Sequence, residues 1–354
     1  MVTKQLVDYE KLAALISKEL APHVKSIDEN AFYAKSFIEQ LGKEHFFQPS
    51  NERFNTLLKR FAVIEETAKV CMTTAFCLWC QFAAITYVTH TKNETLQNAV
   101  LQKLLDGTLL AGTGLSNPLK SFANLEKLHL TAKRARGGYT INGSLPAVSN
   151  IGREHAFAFI AGLNSEKRIM GFVYCNDDNI HLRSRTGYIG LNGSATYAVT
   201  FDDVFIQDEQ IIATDVEGFI EEVRPSFVAY QVPLALGVTA ASVDRMKLVS
   251  DKQGNVNKYL RTQPEDLEQK NNRLRSHLIA AIDETGLHWD DILSIRLHSV
   301  YTTLEAVQAA MIHQGGSGYV KSSAVERKLR EAYFLVHLTP TVKHLELLRN
   351  ERKL

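Results

Sequence analysis

Two serines stand in short polar segments that could place hydroxyl groups against a ligand. Ser116 lies in the segment Gly112-Thr113-Gly114-Leu115-Ser116-Asn117-Pro118, and Ser149 lies at the end of a segment that begins at Tyr139. A serine hydroxyl can both donate and accept hydrogen bonds. Taken singly, either serine is better explained as a turn residue with a locally satisfied hydroxyl. Their place in an ordered set of motifs is what favours contact with a bound group.

The cysteines do not predict metal or redox chemistry. The chain has four: Cys71, Cys77, Cys80 and Cys175. Cys77 and Cys80 have the Cys-x-x-Cys spacing, but two further ligands at a sensible spacing are missing from the sequence. The surrounding segment is apolar nearly all round, which is typical of a buried helix. We therefore expect buried structural cysteines, no metal and a reducing, cytoplasmic compartment.

Composition indicates an ordinary globular protein. The 354 residues include 40 Lys and Arg against 39 Asp and Glu, and 45% of them are hydrophobic. This balance does not favour nucleic acid or a membrane surface as a partner. The N-terminus has no signal-type apolar core, and no run approaches the roughly 20 apolar residues of a membrane span. We expect a soluble cytoplasmic protein.

The hydrophobic periodicity, which predicts the elements that must position the serines, changes twice along the chain. Residues 1–108 show the three-and-four spacing of helices, residues 109–215 alternate like short strands, and residues 216–354 return to the helical period. Short strands at this spacing indicate a small antiparallel barrel or sandwich. The sequence therefore predicts an α+β fold: an N-terminal helical domain, a middle β-barrel or sandwich domain and a C-terminal helical bundle that carries oligomerisation.

Three motifs stand in order in the middle segment. They are Gly112–Pro118, then Tyr139-x-Ile-Asn-Gly143 with Ser149-Asn150 six residues later, then Gly193-Ser194 followed by Val199-x-Phe-Asp-Asp-Val204. Between two helical regions, this order resembles the acyl-CoA dehydrogenase family, whose flavoprotein superfamily also includes dibenzothiophene monooxygenase-like enzymes. The resemblance spans essentially the whole chain. It implies an oxidoreductase that acts on an acyl thioester or a related small molecule, with an acyl-CoA as the candidate substrate.

The resemblance also implies a flavin site. The backbone at Leu115 and the hydroxyl of Ser116 would face the flavin ring, and Ser149 would lie beside its reactive edge. Ala147 stands where many family members have an aromatic residue that shields the flavin. Glycines after the long C-terminal helix would approach a cofactor phosphate or the partner subunit. The implied cofactor-binding residues are Leu115, Ser116, Ala147, Ser149, Gly315 and Gly316.

FAD is the cofactor that the family uses. FMN is the alternative, because this sequence lacks the family's Arg-x-x-Phe-Gly segment. The family also implies a homodimer or homotetramer. An electron-transfer flavoprotein or a flavin reductase is a candidate redox partner.

The usual catalytic base is missing. Counting from the C-terminal family signature places Thr339 where the family has its glutamate. The alternative family position falls at Val223 or Phe227, depending on the alignment, and neither side chain can accept a proton. Glu221 and Glu222 are near these positions, but they are better explained as part of a solvated helix face.

This absence leaves three functions open. The first is α,β-dehydrogenation of an acyl thioester. The second is a monooxygenase of the same fold that uses reduced flavin and O₂; that branch commonly has a histidine shortly after the signature, and His337 fits this placement. His337 is therefore the candidate catalytic residue, to orient an oxygenated flavin or to take a substrate proton. The third is a catalytically silent paralogue that binds or scaffolds.

Overall fold

Two helical parts flank a segment of strands, so the predicted α+β fold is confirmed. The computed structural model describes residues 7–283 and 286–352. The helices before the strands are α1 (Tyr9–Leu15), α2 (Val24–Glu29), α3 (Lys35–Lys43), α4 (Arg53–Val70), α5 (Met72–His90) and α6 (Glu94–Leu105). The strands are β1 (Ala111–Thr113), β2 (Leu130–Ala135), β3 (Gly138–Val148), β4 (Ala156–Gly162), β5 (Arg168–Tyr174), β6 (Ile180–Ser184), β7 (Tyr197–Gln207) and β8 (Ile211–Ala213), with the short helix α7 (Ser116–Phe122) after β1.

The C-terminal part is again helical. Its elements are α8 (Val216–Ala229), α9 (Val232–Leu248), α10 (Pro264–Ala280), the short strands β9 (Ile282–Asp283) and β10 (Gly286–Leu287), α11 (Trp289–Gln314), α12 (Ala324–His337) and α13 (Val342–Arg352). This order of elements follows the periodicity of the sequence. The division into domains at residues 1–108, 109–215 and 216–354 stays a prediction.

Helix α5 forms the centre of the N-terminal part. It is apolar on nearly all faces, and almost every residue from Met72 to Val88 is buried, as the sequence predicted. The extended backbone at Cys71 separates it from α4. Asn93 caps α6 by accepting a hydrogen bond from the Leu96 amide, which satisfies one of the free N–H groups at the helix start. The cysteines are buried with free thiols, as expected.

The main sheet has the strand order β6-β7-β3-β2-β4-β5-β8. Most neighbours are antiparallel, whereas β1 pairs with β4 in parallel, at Ala111↔Ala156 through Thr113↔Ala158. The alternation in the sequence did not predict this parallel pairing. It matters for the site because it places the start of the first serine motif beside a central strand.

The sheet curls around its own core. On β4, Phe157 and Phe159 point to one face and lie 5.9 Å and 5.3 Å, between ring centroids, from Phe201 on β7. Since β7 is not a neighbour of β4 in the sheet, this contact closes the sheet over an apolar interior, in agreement with a barrel or sandwich. The alternate residues of β4, Ala156 and Ala158, pack against the helices.

Proline marks the start of α9. Pro233 lies within its first turn, where the helix needs no N–H from the residue. Helix α11 begins at Trp289, and Asp290 and Asp291 lie in its first turn. There they still interact favourably with the positive end of the helix dipole.

Within the described residues, the stretches Met72–His90 and Val216–Leu248 are long and apolar enough to cross a membrane by composition. The expectation that no run of this kind exists in the sequence was therefore wrong. Their most apolar windows are 94% and 89% buried inside the protein, so packing explains their composition and they are weak evidence for a membrane. The cytoplasmic location stays a prediction.

Candidate functional site

The two serine motifs meet at one end of the sheet. A Cβ atom at Gly112, on β1, would come within 2.4 Å of the carbonyl oxygen of Ser149. Only glycine allows the two backbones to approach so closely. Because α7 begins at Ser116, immediately after β1, this packing brings both serines to the same end of the sheet.

The third motif packs against the second. The Ser149 hydroxyl oxygen lies 2.7 Å from that of Thr196, which lies 2.8 Å from the hydroxyl oxygen of Ser194. The backbone N–H of Asn150 donates to the Ser194 carbonyl at 2.9 Å. Ser149 is only partly buried and a hydroxyl can take part in three hydrogen bonds, so its bond to Thr196 orients it and leaves capacity for a ligand.

Asn150 joins these segments from the buried side. Its backbone is in the left-handed region, with φ of 59°, which asparagine tolerates better than most residues. Its side-chain amide donates to the carbonyl of Ala111 at 2.9 Å and accepts from the Tyr33 hydroxyl at 2.6 Å. The sequence indicated Asn150 only as part of a motif. The structure shows why an asparagine stands there: it ties β1, the end of β3 and an N-terminal loop together.

The hydroxyl of Ser116 lies 2.8 Å from the hydroxyl of Thr339. Ser116 is exposed, whereas Thr339 is buried in the loop between α12 and α13. The C-terminal helices therefore bring position 339 directly to the first serine motif. The side chain at this position is a hydroxyl. It keeps its own proton at neutral pH, so it cannot take a proton from a substrate as an ionised carboxylate would.

Two buried polar side chains fix the backbone at Thr339. The Gln231 side chain donates to the Thr339 carbonyl at 2.8 Å and accepts from Arg296 Nε at 2.7 Å. Arg296 also donates to the Leu335 carbonyl at 2.9 Å and is completely buried. Burial lowers the pKa of its guanidinium to about 9, so it stays protonated at neutral pH. Neither residue was identified from the sequence, although an arginine between Ile295 and Leu297 was a visible signal.

A cavity of about 310 Å³ adjoins this hydroxyl pair. Pro340, the residue after Thr339, lines it, and so does Leu119 on α7. Most of its other walls are apolar side chains from α7, α8 and α13, with Trp289 at the start of α11. A mostly apolar cavity with a few polar groups is the usual form of a small-molecule site.

The carboxylates near the cavity differ in position. Glu221 is exposed, as expected for a solvated face, but it also lines the cavity. Glu222 is exposed and lies on a separate concave surface. Val223 and Phe227, at the family's alternative base position, are buried apolar residues. Glu221 is thus the carboxylate of this group that a ligand in the cavity could meet.

The histidine at the cavity is not the one that the sequence indicated. His337 is the last residue of α12 and is exposed, and it is not among the residues that line the cavity. His344, on α13, does line the cavity, and it is 7% exposed. Burial lowers the pKa of its imidazole below the usual value, so it is neutral at pH 7. No sequence signal separated His344 from the other histidines.

Gly315 and Gly316 form the turn that follows α11. Gly315 has φ of 64°, so a glycine is needed there to end the helix whether or not a cofactor is present. The neighbouring Gln314 side chain accepts from Arg245 on α9 at 2.6 Å. Among the described residues, no hydrogen bond joins this turn to Ser116 or Ser149.

The arrangement of helices, curled sheet and helices, with serine hydroxyls at the sheet end beside an apolar cavity, is that of the acyl-CoA dehydrogenase fold. Residues 7–108 match the family model of the acyl-CoA dehydrogenase N-terminal domain. Over 346 residues the chain is 22% identical to a probable acyl-CoA dehydrogenase, fadE25, of Mycobacterium leprae, and the match covers 91% of this chain and 88% of that protein. The resemblance that the motifs indicated is confirmed.

Solved structures agree on the fold. The butyryl-CoA dehydrogenase of Megasphaera elsdenii superposes with a TM-score of 0.87 at 18% identity, and the match covers 99% of this chain and 98% of that one. The FAD complex of PigA superposes with a TM-score of 0.85 at 15% identity, over 99% of this chain and 97% of that one. The chain thus has the acyl-CoA dehydrogenase fold along its whole described length.

Proposed function

We propose that this protein is an FAD-dependent oxidoreductase that oxidises an acyl thioester or a related small molecule bound in the cavity beside Ser116. One observation carries the proposal: the Ser116–Thr339 hydroxyl pair and the oriented Ser149 hydroxyl lie at the same end of the sheet, and the apolar cavity begins at the next residue, Pro340. Hydrogen-bond donors at the edge of a ring and an apolar space beside it suit a flavin and its substrate.

The residues present fit the flavin. The exposed Ser116 hydroxyl and the partly exposed Ser149 hydroxyl can donate to ring nitrogens and oxygens, and Leu115 would offer its backbone. Ala147 is exposed and small, so it leaves the ring open on that side. Bound FAD would accept two electrons from the substrate, and these donors would stabilise its reduced form. FAD is preferred over FMN because a structural neighbour is an FAD complex.

Thr339 changes what the chain itself can do. A carboxylate there would take a proton from the substrate, and a hydroxyl can only donate to it or orient it. The hydroxyl at 339, together with apolar residues at 223 and 227, also favours the second candidate, a monooxygenase that uses reduced flavin and O₂. The exposed position of His337 outside the cavity weakens its part in that alternative, because it would need a ligand that reaches the end of α12.

Purified protein tests these candidates. We expect it to be yellow, or to quench the fluorescence of added FAD. Anaerobic bleaching by an acyl-CoA would support dehydrogenation, whereas turnover that needs both reduced flavin and O₂ would support the monooxygenase. Absence of flavin binding would overturn both and leave the binding or scaffold role.

The assembly and partners are also proposed. We infer a homodimer or homotetramer, with an electron-transfer flavoprotein or a flavin reductase as redox partner. Large apolar side chains near the Gly315–Gly316 turn are exposed and would be covered by a second subunit: Leu248, Tyr259, Ile312, Tyr319 and Val320. In such an assembly Gly315 and Gly316 would approach the cofactor phosphate of the partner. Light scattering after size-exclusion chromatography measures the oligomeric state, and a monomer would contradict this proposal.

A further inference from the structure

The cavity between α7, α8 and α13 contains one histidine whose polar capacity the fold does not use. His344 is only 7% exposed, and its ring atom Nδ1 has no hydrogen-bond partner among the described residues. Leaving a buried imidazole nitrogen unpaired costs free energy. Trp289 Nε1, on the wall of the same cavity, also has no partner among the described residues, so a bound molecule with polar groups would satisfy both ring nitrogens.

The carboxylates of the cavity do not replace it. Glu217 and Glu221 are carboxylates, which accept hydrogen bonds and do not donate when ionised. Glu217 is also paired with Arg168. The Arg224 guanidinium covers the ring of Trp289, with 4.6 Å from its central carbon to the ring centroid. A neutral imidazole carries one N–H, so His344, beside the unpartnered indole N–H of Trp289, is suited to donate to a carbonyl oxygen inside the cavity.

The other residues of the cavity wall determine the size and polarity of the ligand that fits. Aromatic and aliphatic side chains dominate: Leu119, Phe122, Phe227, Trp289 and Leu348. The volume of about 310 Å³ is roughly twice that of a protein cavity that takes a benzene molecule. A medium-length acyl chain or a substituted ring would fill such a space and displace water from apolar walls.

We infer that His344 is a specificity-determining residue that donates a hydrogen bond to the carbonyl of an apolar, carbonyl-bearing ligand bound in this cavity. The inference rests on the proposed function only for the statement that this ligand is the substrate. The carbonyl selectivity itself is a binding property and can be measured without flavin reduction. No family motif points to position 344.

Two matched probes test it. One is the octanoyl thioester of N-acetylcysteamine, and the other is the S-octyl thioether of the same compound, which lacks only the carbonyl oxygen. Calorimetry on the protein as purified gives both dissociation constants. We expect the thioester to bind about ten-fold more tightly, which corresponds to one hydrogen bond of about 1.4 kcal/mol.

Three variants separate His344 from other causes. His344→Phe keeps an aromatic ring and should make the two probes bind equally, whereas His344→Gln keeps an N–H donor and should retain part of the preference. His181→Phe removes an exposed imidazole on β6 and should change nothing. Equal binding of both probes to the natural protein, or a preference that survives in His344→Phe, overturns the inference. If the preference behaves as expected but no acyl-CoA bleaches the flavin, only the proposed function fails.

Discussion

At the scale of single residues, the site is a set of hydroxyls whose partners are fixed by distant parts of the chain. Ser149 is held by Thr196, and Ser116 by Thr339. Their types and spacing were visible in the sequence because each lies in a contiguous motif. Three other residues were not visible: Arg296, Gln231 and His344. Their roles depend on contacts across 39 or more positions of the chain or on the shape of a cavity formed by several helices.

Replacing Ser149 tests the cofactor contact. Ser149→Ala removes a donor that the Thr196 hydroxyl holds in place, so we expect FAD affinity to fall about ten-fold. Ser144→Ala, at an exposed serine on β3, the strand that ends just before Ser149, serves as the control and should leave affinity unchanged. Fluorescence titration with FAD measures both. An unchanged dissociation constant in Ser149→Ala would remove this residue from the flavin site.

At the scale of elements, the site depends on two close approaches: β1 against the end of β3, and the α12–α13 loop against α7. The sequence predicted the two helical regions and the segment of strands between them, because those follow from local periodicity. It could not predict the parallel β1–β4 pairing, nor that the loop at Thr339 would reach Ser116, because both result from tertiary packing.

The contact between β1 and the end of β3 is tested at Gly112. In Gly112→Ala the added methyl would meet the Ser149 carbonyl, so the backbones must separate, and we expect a loss of about 2 kcal/mol in the free energy of unfolding. Gly152→Ala is the matched control, because no heavy atom lies within 4 Å of the place that its added Cβ would take. Urea denaturation gives both values. Equal stability of the two variants would show that the segments are not packed as described.

The contact between the α12–α13 loop and α7 is tested at Arg296. Arg296→Ala removes the donor to Gln231 and to the Leu335 carbonyl and leaves a cavity in the core. We expect a loss of about 3 kcal/mol in the free energy of unfolding. Arg273→Ala, at an exposed position of α10, should change it by less than about 0.5 kcal/mol. A similar small effect at both positions would contradict the role given to Arg296.

At the scale of the whole molecule, the helices pack against β4 and β5 of the curled sheet, and buried histidines couple the stability of the protein to pH. Burial lowers the pKa of His155 and of His344 in the folded protein. The unfolded chain binds these protons near the ordinary pKa of about 6.5. Above about pH 6.5 both histidines are mainly neutral in the folded and the unfolded state, so they do not lower the free energy of unfolding. As pH falls from about 6.5 toward the lower folded pKa values, the unfolded chain takes up protons first and the folded state loses stability.

A pH series of denaturation curves tests this coupling. Between pH 7 and pH 5 the free energy of unfolding should decrease, and the double variant His155→Gln/His344→Gln should show a shallower decrease. The exposed His181→Gln is the control and should follow the natural protein. Identical slopes in all three proteins would show that the two buried histidines do not take part.

The central claim, flavin-dependent oxidation in the cavity beside Ser116, is tested most directly by one measurement. FAD-loaded protein is mixed under anaerobic conditions with acyl-CoA compounds of increasing chain length, and the visible absorbance of the flavin is followed. We expect at least one of these compounds to bleach the flavin. Bound FAD that stays oxidised with every acyl-CoA would contradict the claim.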